Sequence, residues 1–270
     1  MMHEEIGFEQ IRNWLGQRCG ISYSDQKKDL LLQRLNRVQR AFGIERLSDM
    51  SRRLQDVAEH DLQLAVMHAA STNHTYFFRE MDVLDKFRDN ILPSLANRNE
   101  IRIWSAACSS GDEAFTLAII IAETLGMAAL NKTLILGTDI SAPVVERAEA
   151  GIFGGRQLDQ VPSHLLSKYF KPIGMGQYQV VDAIRSRCTF RRLNLKTTPY
   201  PFKQPFQVVF CRNILYYFDI ADQKATVDAI YDVTEPGGWL ITSVTESVRD
   251  LSTRWQPAGT SINRKEGRNK

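Results

Sequence analysis

Cysteine is scarce in this 270-residue chain, and the few present are scattered. Cys19, Cys108, Cys188 and Cys211 form no C-x-x-C pair and share no zinc-ligand spacing with the five histidines. That excludes a disulfide framework and a metal centre built on cysteine and histidine, and leaves free thiols as the expectation. Long apolar runs are missing as well. The most hydrophobic stretch, residues 117–130, is broken by Glu123 and Gly126 and is shorter than the roughly 20 residues a bilayer-crossing helix needs. The opening Met-Met-His-Glu-Glu has neither the basic start nor the apolar run of a secretory leader, so a cytoplasmic protein without membrane insertion is expected. Charge of one sign is not in excess either. The formal net charge of +3 is matched by residues 264–270 alone, with four basic side chains against one acidic, and is too small for a dedicated nucleic-acid binder.

With 43% hydrophobic and 24% charged residues, the chain has the composition of an ordinary globular protein, and its 270 residues suffice for one large domain or a large and a small one. Residues 1–70 read as four helices. In the first, Ile6, Ile11, Trp14, Leu15 and Arg18 recur at helical spacing, and Gly20 supplies a stop. In the second, predicted over 26–42 with Asp25 as its cap, Leu31, Leu35, Val38 and Phe42 form one stripe. Lys27, Arg34, Arg37 and Arg40 run along one flank of that stripe. From Gln26 to Arg53 eight basic residues face three acidic ones, a local charge of +5. A solvated charged face and a docking surface for an acidic partner both fit this pattern. The remaining two helices are placed at 47–58 and 61–70.

Residues 71–80, Ser-Thr-Asn-His-Thr-Tyr-Phe-Phe-Arg-Glu, change from polar to strongly apolar halfway. A segment over the mouth of a site reads this way, and so does a helix start capped by Asn73 or Thr75. A helix over 81–91 is expected to end before Pro93. From residue 100 strands alternate with helices, which indicates a parallel sheet with helices on its faces. The exception is 151–187, where glycine pairs, a short helix and a short strand interrupt the pattern. After the helix over 221–234, Pro236-Gly237-Gly238 reads as a tight turn.

Residues 101–115 organise the large domain. An alternating strand at Ile101, Ile103 and Ser105 passes through six small residues, turns at Gly111 and opens into an apolar helix. Such a strand, tight turn and helix form the ligand-binding corner of a doubly wound α/β sheet. The polar residues at the strand ends are Glu113, Asp139, Asn194 and Arg212-Asn213, where a nucleoside lies in such folds. A dinucleotide needs three glycines, G-x-G-x-x-G, and only Gly111 is present. Asp112 and Glu113 at the helix start suit a positive ligand better than a pyrophosphate. That favours S-adenosylmethionine, a sulfonium carrying an α-amino group.

These residues also carry a resemblance. Residues 72–80 resemble the T-N-x-T-x-F-F-R-E signature of CheR-type chemotaxis receptor methyltransferases, and Trp104 to Glu113 resembles that family's cofactor loop. Thr138-Asp139-Ile140 and Phe210 through Asp219 also match, in order. The resemblance covers nearly the whole chain. It implies a Rossmann-like doubly wound methyltransferase sheet over 100–264 with a small β-subdomain at about 151–187. An all-helical receptor-docking domain over 1–70 would precede it, with 71–99 as lid and linker and 265–270 as a basic tail. The implied activity is transfer of a methyl group from S-adenosylmethionine to glutamate side chains on the cytoplasmic helices of chemoreceptors, leaving S-adenosylhomocysteine. Implied cofactor contacts are Asn73, Thr75, Arg79, Glu113, Asp139, Asn194, Leu195, Arg212 and Asn213. Tyr217 stands where the family places a tyrosine at the reacting centre, and Lys27, Arg34, Arg37 and Arg40 would dock the receptor. The short Gly174-Met175-Gly176 turn points to a member that needs no receptor tether peptide, and a monomer is expected.

The chemistry agrees with what is absent. A glutamate carboxylate is already a nucleophile at neutral pH, so no general base is required. Arg79 or Arg212 would orient that carboxylate and Tyr217 would hydrogen-bond to it. The sequence has no Ser/His/Asp elbow, no metal cluster and no N-P-P-Y motif. It departs from the family at Ala114-Phe115-Thr116, at Ser243-Val244-Thr245-Glu246 and in the final strand near 260–265. These departures put the edge strands in question and keep one alternative open, a cofactor-binding regulatory module with a degenerate site.

Overall fold

The structure, a computed structural model, describes residues 2–267 except 20, 22, 57 and 71–74. Contacts divide the chain into two compact units, Met1–Thr72 with Tyr216–Gln223, and Asn73–Leu215 with Lys224–Lys270.

The first unit is helical: α1 (Met2–Cys19), α2 (Lys28–Phe42), α3 (Leu47–Leu54) and α4 (His60–Ala70). The α2 stripe behaves as its spacing requires, with Leu31, Leu35 and Val38 buried. In α1 the buried set is Phe8, Ile11, Trp14 and Leu15, while Ile6 is exposed. The expected stripe therefore holds at Ile11, Trp14 and Leu15, while Ile6 and Arg18 lie off it and Phe8, which shares the face of Ile11, joins it. Each large apolar side chain buried here contributes about 1.5–3 kcal/mol. α1 crosses α3 closely at Gly7, where an added Cβ would fall 2.4 Å from the Ser48 nitrogen. Asp25 caps nothing in α2. It opens a 3₁₀ turn, Asp25–Lys27, that leads into that helix.

The second unit continues with α5 (Met81–Lys86), α6 (Leu92–Leu95), β1 (Ile101–Ala106), α7 (Asp112–Leu125), α8 (Met127–Leu130), β2 (Thr133–Asp139) and α9 (Ala142–Ala150). β3 (Ile152–Gly154), α10 (Ser163–Tyr169), β4 (Phe170–Gly174), β5 (Gln177–Val180), α11 (Asp182–Arg185) and β6 (Cys188–Arg192) follow. β7 (Phe206–Cys211), α12 (Ile220–Asp232), β8 (Thr234–Ile241), β9 (Gln256–Gly259) and β10 (Ile262–Arg264) complete it. α12 begins in the 216–223 segment assigned to the first unit.

The main sheet has seven strands in the order β6-β2-β1-β7-β8-β10-β9. The strands from β6 to β8 are parallel, and β10 runs antiparallel between β8 and β9. From β1 the winding goes one way through β2 to β6, and from β7 it goes the other way. The C-terminal ends of β1 and β7 therefore flank the topological switch point, where ligands bind in such sheets. β3, β5 and β4 form a separate antiparallel sheet, joined at Met175-Gly176 by a two-residue turn with both φ values positive. This is the β-subdomain expected within 151–187.

Three local expectations are corrected. Pro93 does not end a helix. A π-helical stretch, Phe87–Ile91, absorbs the broken hydrogen-bond pattern, and Pro93 then stands in the first turn of α6, where its missing N–H costs nothing. Pro236-Gly237-Gly238 is not a free turn but lies inside β8, where the register slips between Phe206 and Val208. The edge strands questioned by the sequence departures, β9 and β10, are both in place.

Candidate cofactor-binding site

The site is built where β1 hands over to α7. Residues 107–111 make the turn by placing every second residue, Ala107, Ser109 and Gly111, at positive φ. At Gly111 (φ +92°) an added Cβ would meet Ala148 at 3.0 Å and Phe190 at 3.1 Å, so both conformation and space require glycine. Phe78, Glu80 and Asn213 also hold left-handed backbone. Each such non-glycine residue costs on the order of 1–3 kcal/mol, and such residues cluster at functional sites where surrounding bonds over-determine them.

The strand ends supply those bonds. Asp139, at the end of β2, accepts the Ser109 N–H on Oδ2 and the Ser141 N–H on Oδ1, both at 3.0 Å. Burial pushes its carboxyl up, and these N–H bonds counteract that. Glu113 accepts Ser105 Oγ on Oε1 at 2.7 Å and Arg212 Nη1 on Oε2 at 2.9 Å. Arg212 also donates through Nη2 to the Arg79 carbonyl at 2.6 Å and to Glu80 Oε2 at 3.2 Å. Arg212 is therefore a bridge between two carboxylates, Glu113 and Glu80. Both of its terminal nitrogens are engaged, and only 3% of its side chain is exposed.

Asp112, fully buried at the start of α7, accepts Ser110 Oγ at 2.7 Å and Gln157 Nε2 at 3.1 Å. Burial raises its carboxyl from an ordinary 3.8 to about 6. The Gln157 carbonyl takes the Phe77 N–H, and Thr116 Oγ1, itself donating to the Asp112 carbonyl, takes the Phe78 N–H. Phe77 and Phe78 are thus core rather than a cover or a helix start. Phe77 packs edge-on against Phe153 and Phe170 of the small sheet, with centroids 4.8 and 4.9 Å away. α5 begins only at Met81, with Glu80 at its cap position, so Thr75 caps no helix.

The other expected residues distribute unevenly. Asn194 follows β6, and its Oδ1 accepts the Lys196 N–H at 3.0 Å, an Asx turn. Leu195 is buried, and its carbonyl accepts the Tyr200 hydroxyl at 2.8 Å. Arg79 stacks its guanidinium over Tyr76 at 5.9 Å. Asn73 lies outside the described residues, and Thr75 is half-buried. Tyr217 belongs to the first unit, where it stacks on Tyr216 with ring centres 4.4 Å apart and has Lys27 Nζ 5.9 Å from its ring. On α2, Arg37 and Arg40 are exposed. Arg34 instead donates through Nη1 to Tyr23 Oη at 2.9 Å and to the last carbonyls of α4, Ala70 at 3.0 Å and Ala69 at 3.3 Å.

Two residues the sequence reading passed over are central. Glu80 and Glu246 both hold the segment after β7. Glu246 accepts the N–H groups of Asn213 at 2.7 Å, Leu215 at 2.8 Å and Ser243 at 3.2 Å. The only signals for them were the acidic final residue of the 72–80 run and the Glu246 that survives in a departed motif.

The residues fit a cationic nucleoside. Glu80, Glu113 and Asp139 bring three negative charges against one positive from Arg212, a net −2. Ser109 Oγ and Arg212 Nε are buried without a hydrogen-bond partner, polar atoms that a ligand could satisfy. An acidic set of strand ends at the switch point of a doubly wound sheet, with a single glycine and no cradle for a pyrophosphate, defines a methyltransferase that uses S-adenosylmethionine. Comparison with known proteins then places the chain. Residues 73–263 match the CheR methyltransferase SAM binding domain and residues 6–66 match the CheR methyltransferase all-alpha domain. The chain belongs to the CheR methyltransferase family. It is 31% identical to the chemotaxis protein methyltransferase Cher2 of Pseudomonas putida over 93% of this chain and 94% of that one. It is 34% identical to chemotaxis protein methyltransferase 1 of Pseudomonas aeruginosa over 92% and 93% of the two chains. Among solved structures, magnesium protoporphyrin IX methyltransferase from Synechocystis with bound SAH covers 72% of this chain and 64% of its own at 16% identity. The TM-score of that pair is 0.35. Among the described residues no helix is long and apolar enough to cross a membrane.

Proposed function

We propose that this protein methylates glutamate side chains on the cytoplasmic helices of chemoreceptors, forming glutamate methyl esters, and that it acts as a cytoplasmic monomer. The observation that carries this reading is the carboxylate-lined strand-end site, in which Arg212 joins Glu113 to Glu80 beside Asp139. When bound, S-adenosylmethionine supplies an electrophilic methyl group on a sulfonium whose leaving group is a neutral thioether. Asp139 and Glu113 accept hydrogen bonds from the ligand's hydroxyl and amino groups. Asn73, Thr75, Asn194, Leu195, Arg212 and Asn213 complete its enclosure.

The incoming glutamate is ionised at neutral pH, so no protein base has to act on it. The protein's work is alignment and exclusion of water. Arg79, whose guanidinium lies over the Tyr76 ring, orients the substrate carboxylate, and Tyr217 hydrogen-bonds to it. The basic face of α2 docks the acidic receptor helix through Lys27, Arg37 and Arg40, with Arg34 holding α4 beneath. The two-residue Met175-Gly176 turn is too short to grip a tether peptide, which favours direct recognition of the receptor helices.

Incubation with methyl-labelled S-adenosylmethionine and receptor-containing membranes tests the proposal. Base-labile methyl ester on receptor glutamates is the expected product. Tight cofactor binding without ester, or label appearing in RNA or a small metabolite, would sink it.

A further inference from the structure

Lys27 stands where stability does not call for a cation. It is the N-cap residue of α2 and makes no side-chain capping bond. A positive charge at that end of a helix opposes the helix dipole, which favours an anion there. Among the described residues no carboxylate pairs with it. Asp25, the nearest acid before it, is taken by Arg12 at 2.6 Å. Its neighbour Lys28 takes Glu5 at 2.9 Å, and Asp29, two positions on, does not share its face. The Lys27 ammonium lies instead 5.9 Å from the ring centres of both Tyr216 and Tyr217, within cation–π reach of each.

The two tyrosines belong to the same unit as α2. Their rings are 4.4 Å apart and tilted by 44°. Tyr217 is buried and Tyr216 is exposed. Tyr216 Oη donates to Tyr217 Oη at 3.5 Å, so the Tyr217 hydroxyl, the acceptor there, keeps its own proton for another partner. A cation beside a phenolic O–H makes a carboxylate site, because the cation supplies charge and the O–H a directional bond. A carboxylate arriving beside Lys27 also relieves the conflict between its charge and the helix dipole.

We propose that Lys27 receives the glutamate to be methylated, its ammonium and the Tyr217 hydroxyl holding one carboxylate between them, while Tyr216 keeps Tyr217 in orientation. The inference rests on the methyl-transfer reading above and gives Lys27 a target of its own. Arg37 and Arg40 meet the receptor helix around that glutamate, and Lys27 meets the glutamate itself. Two residues that share one carboxylate are energetically coupled, whereas a cation that only docks the helix is independent of the tyrosine.

Initial rates of methyl transfer from the full chain to receptor-containing membranes test it in Lys27→Met, Lys27→Arg, Tyr217→Phe and Arg40→Glu, and in Lys27→Met and Arg40→Glu each combined with Tyr217→Phe. Methionine keeps most of the stem and removes the charge. In Lys27→Met, kcat/KM should fall about tenfold. S-adenosylmethionine affinity, read by calorimetry, and the thermal midpoint should stay at parent values. Arginine keeps the charge and should recover most of the loss. In the Tyr217→Phe background Lys27→Met should cost much less than it does alone, because the carboxylate has already lost one of its two holders. Arg40→Glu should cost the same fold with and without the Tyr217 hydroxyl. An equal Lys27→Met loss in both backgrounds would make Lys27 one more docking cation, and an unchanged kcat/KM would make it a solvated side chain. Either result overturns the inference and leaves the methyl-transfer reading standing. A parent chain that puts no base-labile methyl on receptor glutamates would overturn that reading and the inference with it.

Discussion

Arg212 Nη1 donates to Glu113 Oε2 over 2.9 Å inside an enclosure that leaves 3% of the arginine side chain exposed. A buried ion pair loses more when one partner is deleted than its formation gains, because the other partner is left charged and unpaired. Here two carboxylates depend on one guanidinium. Arg212→Ala should therefore destabilise the second unit by about 3–5 kcal/mol and abolish measurable S-adenosylmethionine binding. Arg212→Lys keeps the charge but has no fork with which to bridge Glu113 and Glu80, and should rescue only part of the loss. Thermal unfolding alongside calorimetric titration checks both. Parent-like stability in Arg212→Ala would show that the bridge is not what holds the site together.

Asp112 predicts a pH dependence. Its carboxyl is raised from 3.8 to about 6 by burial, so the folded state holds a proton more tightly than the unfolded one. Stability is then greatest below about pH 4 and is lost as pH rises through about 6, at a cost on the order of 2–3 kcal/mol. Asp112→Asn removes that cost and retains groups that can bond Ser110 and Gln157. The variant should unfold at a higher temperature than the parent at pH 8, with the gap closing between pH 6 and pH 4. A difference that does not change with pH would refute this account.

The strand-end acid and the tyrosine should fail in different ways. Asp139→Ala removes an acceptor at the end of β2 and should weaken S-adenosylmethionine binding about tenfold or more. Tyr217→Phe should leave that affinity unchanged and lower kcat on receptor membranes about tenfold. Equal loss of cofactor affinity in the two variants would contradict the assigned roles.

The basic face of α2 divides into two kinds of arginine. Arg37→Glu with Arg40→Glu should raise KM for receptor several-fold without changing cofactor affinity, and the effect should shrink at high salt. Arg34→Ala should lower the thermal midpoint instead, since it removes a donor to the Ala69 carbonyl and one of the two donors to the Ala70 carbonyl, the other being Tyr23 Oη, a loss of about 1–3 kcal/mol. An unchanged KM in the double reversal would return that face to solvent.

How far the sequence reached follows from the range of each signal. Apolar stripes, strand runs and glycine stops are local, so α2, β1, α7 and β7 were legible almost to the residue. Pro93 and Pro236 misled because a proline announces a break in the hydrogen-bond ladder but not its repair. In one case a π-helical stretch takes it up, and in the other a register slip within β8. Phe77 reads as part of a cover over the site because no local feature points to its partners Phe153 and Phe170.

By itself the sequence determined the doubly wound order of elements and the acidic strand ends that call for a cationic nucleoside. Both are written in short-range periodicity and in the residue that ends each strand. Only the tertiary structure decided what those polar groups do to one another. Glu80 and Asn213 are separated by 133 residues, and no spacing announces their bond. Arg212 became a bridge because folding brought two carboxylates to the same guanidinium. Arg34 became a helix cap because folding brought the end of α4 beneath it. Shared partners of this kind are set by three-dimensional proximity, which the order of residues along the chain does not encode locally.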